Sequence, residues 1–144
     1  MHPYPHRYLT TARAAVEGDV ELGSAGLAAI ASLPPAEFGG PGTLWSPETL
    51  LVAAVADCFV LSFRAVARAS KLPWIHLECA TEGVLDRIDG VTRFTEILTK
   101  AKLTVPAGTD EALARRLLEK AEKVCLISNS LLASKHLDST LVQV

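Results

Sequence analysis

Three cysteines, Cys58, Cys79 and Cys125, are the side chains in this sequence with the widest chemical range. A thiolate is a nucleophile, and two thiols that meet can pass reversibly between dithiol and disulfide. The number is odd and the spacing wide, unlike the framework of a small secreted protein. In a reducing compartment each also has a plainer role, as a small buried hydrophobe. Cys79 alternates with Ile75 and Leu77 in a strand pattern and reads as packing. Cys58 lies inside an apolar helix and Cys125 on the apolar face of another, so a shared core brings them within reach. Spacing alone favours packing for all three, with a Cys58–Cys125 redox pair as the alternative.

Other chemistries find little support. No cysteine or histidine spacing resembles a zinc site, and no Gly-rich phosphate loop precedes a lysine. Ser128 and Ser130 lack the setting of a nucleophilic serine. His2 and His6 fall in a proline-broken terminus, and His76 and His136 stand alone. The formal net charge of -2, without a basic run, gives no electrostatic case for nucleic acid.

The positioning elements can be read from pattern. With 49% hydrophobic and 6% aromatic residues, one domain over 1–144 with a core of Leu, Val, Ile and Ala is expected. Tyr8 to Ser32 reads as short strands divided by Gly18-Asp19 and Gly23-Ser24-Ala25-Gly26. Leu33 to Trp45, rich in Pro and Gly, is an irregular loop. Ser46-Pro47-Glu48 opens a helix running to about Lys71, with Ser46 as cap and Pro73 as stop. From Leu50 to Phe63 this helix is apolar on every side, which predicts enclosure by protein all round. Ile75 to Ile88 and Val91 to Val105 form a hairpin about Asp89-Gly90. Ile97, Thr99, Ala101, Leu103 and Val105 mark the inward face of its second strand. Thr109 is expected to cap a helix whose buried stripe is Leu113, Leu117, Ala121, Val124 and Cys125. Leu137 to Val144 closes as a strand. The order gives an α+β class. Met1 to Arg7 lacks the apolar stretch of a signal peptide. Leu50 to Phe63 is short for a bilayer span and carries Asp57, so a soluble, cytoplasmic protein is expected.

The local wording goes further. Ser46-Pro47-Glu48-Thr49-Leu50-Leu51-Val52-Ala53-Ala54-Val55-Ala56-Asp57-Cys58-Phe59 resembles the central-helix signature of the OsmC/Ohr family, the osmotically inducible and organic hydroperoxide resistance proteins. Ala121-Glu122-Lys123-Val124-Cys125-Leu126-Ile127-Ser128-Asn129-Ser130 resembles its second cysteine motif, and Glu17-Gly18-Asp19 an early turn. The resemblance implies antiparallel sheets packed around a long central helix in an intertwined homodimer. It also implies a thiol peroxidase acting on organic hydroperoxides, with no metal or organic cofactor. Cys58 matches the peroxidatic position and Cys125 the resolving one. A dithiol such as protein-bound lipoamide would restore both. Glu48 matches the glutamate that holds an activating arginine.

The sequence departs from the family at that arginine. Neither Gly18 to Gly23 nor Pro35 to Gly40, the regions where relatives carry it, contains one. Asp57 stands where a small neutral residue is usual, and Leu126 where proline is common. Arg13, with Arg7 behind it, is the nearest substitute in sequence. Without a cation, apolar surroundings disfavour the thiolate, so a high Cys58 pKa and slow turnover are expected. Glu48 and Cys58 are ten residues apart, roughly 15 Å along a helix, so any support from Glu48 would cross a subunit boundary. Two rivals share the fold: a binding module for a hydrophobic ligand, and a redox sensor or thiol-disulfide exchanger.

Overall fold

Turn chemistry divides the first third of the chain as its glycines predict. The computed structural model describes residues Met1 to Val144. Strands β1 (Thr11–Arg13), β2 (Val20–Gly23) and β3 (Ile30–Ser32) form an antiparallel sheet in the order β1-β2-β3. Gly18 and Gly26 take φ of 94° and 76°, which a residue with a Cβ rarely adopts. A single 3-10 turn at Ala36–Phe38 interrupts the loop that follows.

Helix α1 (Pro47–Ala69) begins where Ser46 predicts. The Thr49 N–H donates to Ser46 Oγ at 3.2 Å, and the Ser46 N–H donates to Thr49 Oγ1 at 2.9 Å, a reciprocal cap. The chain divides into two compact units, Met1–Leu51 and Val52–Val144, with the boundary inside this helix.

In the second unit, β4 (His76–Ile88) and β5 (Val91–Val105) pair antiparallel about Asp89-Gly90. Both turn residues have positive φ, 51° and 79°, the type I′ geometry that suits a twisted hairpin. Helix α2 (Glu111–Val124) and the single turn α3 (Leu126–Asn129) then cross to β6 (Ser134–Gln143), which lies parallel to β5. This parallel pair departs from the antiparallel sheets that the family resemblance implies. A crossover through helices permits it where a hairpin does not. The expected inward face of β5 is buried at all five positions. Against it pack Phe59, Phe63, Val66 and Ala67 of α1 and Ala114, Leu117, Leu118 and Ala121 of α2.

Four local expectations are corrected. Asp110, not Thr109, caps α2: its carboxylate accepts from the Leu113 N–H at 3.0 Å, the three-residue reach of an N-cap. The Thr109 hydroxyl donates instead to the Pro106 carbonyl at 2.6 Å. Val124 is 48% exposed, whereas Cys125 is 1% exposed. The backbone leaves the helix at Cys125, with ψ of 101°, so the two side chains part company.

Ile75 is exposed, whereas Leu77 is buried and Cys79 half-buried; Ile75 precedes the strand and does not share its alternation. Nor is α1 enclosed all round. It buries one stripe, Val55, Phe59, Phe63, Val66 and Ala67, while Leu61 is 50% exposed. A single three-stranded sheet and α2 cover only one face. The whole 23-residue helix, with an 18-residue window of mean hydropathy 2.0, is long and apolar enough for a bilayer span by length and composition alone, although the apolar run Leu50 to Phe63 is shorter. The buried stripe of that helix serves the core, where Phe59 and Phe63 are within 2% of full burial.

Candidate functional site

Cys125 sits at the junction of α2 and α3, held inward by the break in helical geometry. Its thiol donates to the Val55 carbonyl of α1 at 3.9 Å. That contact places it one helical turn from Cys58, and the Cys58 thiol is its side-chain neighbour. Cys58 is the more accessible of the two, half-buried, with its sulfur 4.0 Å from Ser62 Oγ. Both are free thiols.

Burial pushes the Cys125 thiol above the ordinary thiol range. The nearby Ser128 hydroxyl and N–H favour the thiolate and oppose this in part, although the sulfur accepts no capping hydrogen bond. The adjoining Cys58 adds a further upward push. Cys79, half-buried on β4, is also raised, first by burial; its contact with the Thr81 hydroxyl at 3.5 Å lowers it, and charge on Cys125 raises it. Cys79 thus packs as expected, yet lies within electrostatic reach of Cys125.

Lys135, which pattern reading missed, lines a void of about 10 Å³ beside Cys125 with Glu122 and Ser128 of the second cysteine motif, among Val55, Phe59 and Ile97. Burial raises the Glu122 pKa, while His136 and Lys135 pull it down. Lys135 reaches this wall because β6 begins at Ser134, before the expected Leu137. Lys135, Leu137, Ser139 and Leu141 alternate on the more buried face.

Glu48 belongs to the first unit. It lines a largely apolar groove of about 720 Å³ with Val20, Leu22, Leu33, Pro35 and Phe38. Its Oε2 is buried without a hydrogen-bond partner. Such an orphaned acceptor is uncommon in a finished fold. Arg13, the nearest arginine in sequence, is committed elsewhere: its guanidinium donates to Glu21 Oε1 at 2.7 Å across β1 and β2. Arg7 is exposed. No group of three or more His, Cys, Asp or Glu side chains is arranged to hold a metal ion.

The family model described as OsmC-like protein matches residues 40–140, which include both cysteine motifs and Glu48. The chain belongs to the OsmC-like family. It is 33% identical over 133 residues to the organic hydroperoxide resistance protein of Xanthomonas axonopodis pv. citri (strain 306), covering 88% of this chain and 89% of that protein. It is 30% identical over 100 residues to the uncharacterized protein YmaD of Bacillus subtilis (strain 168), covering 67% of each. The OsmC-like protein from Mycoplasma pneumoniae shares its fold with a TM-score of 0.81 at 18% identity, over 96% of this chain and 99% of that one. The OsmC-like α+β fold expected from the two cysteine motifs is therefore borne out.

Proposed function

We propose that this chain is a thiol-dependent peroxidase that reduces organic hydroperoxides, with Cys58 and Cys125 as its redox pair. The adjacency of the two thiols carries this reading, with Cys58 accessible and Cys125 1% exposed. The Cys58 thiolate attacks the distal peroxide oxygen. The O–O bond breaks, Cys58 becomes a sulfenic acid, and the alkoxide leaves and takes a proton to become an alcohol. The Cys125 thiolate then attacks the Cys58 sulfur and forms a disulfide, with hydroxide leaving as water. A dithiol such as a lipoylated protein reduces the disulfide and is itself oxidised. The reaction needs no metal or organic cofactor and suits a reducing compartment such as the cytoplasm.

Hydroperoxide consumption with dihydrolipoamide, glutathione and thioredoxin as separate reductants tests the reading. Sustained turnover with at least one dithiol is expected, and no consumption with any of them contradicts it. The raised Cys125 pKa sets the pH dependence of disulfide formation. The attacking species is the thiolate, so the rate should rise about tenfold per pH unit from neutrality toward pH 9. Rapid-quench mapping of the disulfide after full Cys58 oxidation checks this, and a plateau near pH 7 would contradict it.

The same reading includes a homodimer. The apolar side of α1 left open by the fold, including Leu61, and the unpartnered Glu48 oxygen both support a second chain as cover. A large apolar interface of roughly 2,000 Å² or more is expected. Sedimentation at micromolar concentration should give a dimer; a stable monomer would count against it.

A second reading has its own observation. Arg13 is spent on Glu21, and the apolar groove at Glu48 is large enough for a small hydrophobic molecule. A ligand-binding or redox-sensing member of the family would bind such a molecule, or form the disulfide once, without sustained turnover in the same assay.

A further inference from the structure

The C-terminal end of α1 carries a cavity that the thiol chemistry does not use. Arg64, Arg68, Lys71 and Trp74 line it, and its volume is about 480 Å³. That is within the range of small-molecule sites, roughly 300–1,000 Å³. The three cations are exposed, and none makes a side-chain hydrogen bond or ion pair. The ion pairs of the chain are Arg13–Glu21, Arg115–Glu111 and His136–Glu96.

The helix dipole accounts for part of this cluster only. Arg68 lies in the last turn, where a cation is favoured; Arg64 precedes that turn and Lys71 follows it. Lys71 also holds a backbone conformation that suits glycine, with φ of 54°. The helix ends there in a Schellman motif: the Leu72 N–H donates to the Ala67 carbonyl at 3.0 Å and the Lys71 N–H to the Arg68 carbonyl at 3.2 Å. Glycine would meet this geometry without steric penalty. A lysine adds nothing to the motif itself, but it adds a third positive charge to the wall of the cavity. Trp74, half-buried and packed edge-on against Phe63 at 5.4 Å, supplies a fixed aromatic wall.

We infer that this cavity binds a multiply charged phosphate group, with Arg64, Arg68 and Lys71 as its ligands. Guanidinium groups match phosphate oxygens as paired donors, and the ammonium adds a compact charge. Two sources share this chemistry, inorganic polyphosphate and the polyphosphate chain of a nucleotide, whose base could stack on Trp74.

The test uses the full chain carrying Trp45→Phe, which leaves Trp74 as the one tryptophan of the two. Its fluorescence is followed during titration with tripolyphosphate and, separately, with ATP, at constant ionic strength. Saturable binding of either below about 1 mM is expected. Tighter binding of ATP by about tenfold assigns the nucleotide; similar affinities assign the polyphosphate. Lys71→Gly should weaken binding about tenfold while its melting temperature stays level or rises, because strain is relieved. Arg64→Gln with Arg68→Gln should remove binding. A signal that does not saturate by about 10 mM, undiminished binding in Lys71→Gly, or saturation by polyglutamate alone would overturn the inference.

Discussion

Replacing Cys58 with serine is expected to cut hydroperoxide consumption by more than about a thousandfold. A serine hydroxyl ionises far less readily than a thiol and cannot take up the peroxide oxygen as a sulfenic acid. The fold should survive, because Cys58 is only half-buried and serine is close to it in size. Cys125→Ser should fail differently. The first oxidation remains possible, so consumption begins, but no partner thiol captures the sulfenic acid. With excess peroxide, Cys58 then passes to the sulfinic acid and activity dies within a few turnovers. Mass spectrometry should find two added oxygens on the Cys58 peptide. Sustained consumption by Cys58→Ser, measured against a protein-free control, would remove Cys58 from the mechanism.

Phe63→Ala should cost about 3–5 kcal/mol of stability, enough to unfold a marginal domain. Phe63 has no exposed surface and joins the α1 stripe to the main core cluster. Its ring packs edge-on against Trp74. The truncation leaves a cavity between helix and sheet that close-packed neighbours fill only in part. Urea denaturation of the variant should show a lower midpoint with little change in slope. A shift below about 1 kcal/mol would mean that the α1 contact with the sheet is not the mainstay of this unit.

The features visible in sequence were those with local causes. Asp89-Gly90 makes a hairpin because both residues tolerate positive φ, and Ser46-Pro47 starts a helix because a hydroxyl can meet its first free N–H groups. The inward face of β5 follows from alternation along one strand. The β5–β6 pairing was invisible for the opposite reason: its partners lie about forty residues apart, and only the crossover places them together. The early start of β6 hid Lys135, whose charge looks like a loop residue until Leu137 and Leu141 fall on the same face. Val124 and Cys125 misled as a pair because helical periodicity does not say where the helix stops. The apolar surface of α1 was plain from composition, but composition does not say how many chains share in covering it.

The two cysteines illustrate both sides. Their spacing favoured packing, and only the wording around them singled them out as a pair. Burial at the α2–α3 junction then supplied what no motif contains, a Cys125 thiol pushed up in pKa beside Cys58.

Disulfide mapping after brief exposure to a stoichiometric organic hydroperoxide tests the central claim most directly. The non-reduced digest should contain one linked pair, Cys58 with Cys125, and a Cys79 peptide that still takes up a thiol label. Cys79 lies close enough to Cys125 for charge to couple them, so the measurement has a real competitor. A digest dominated by Cys79–Cys125, or by Cys58 carried to the sulfinic acid with Cys125 still free, would contradict the assignment of Cys58 and Cys125 as the redox pair.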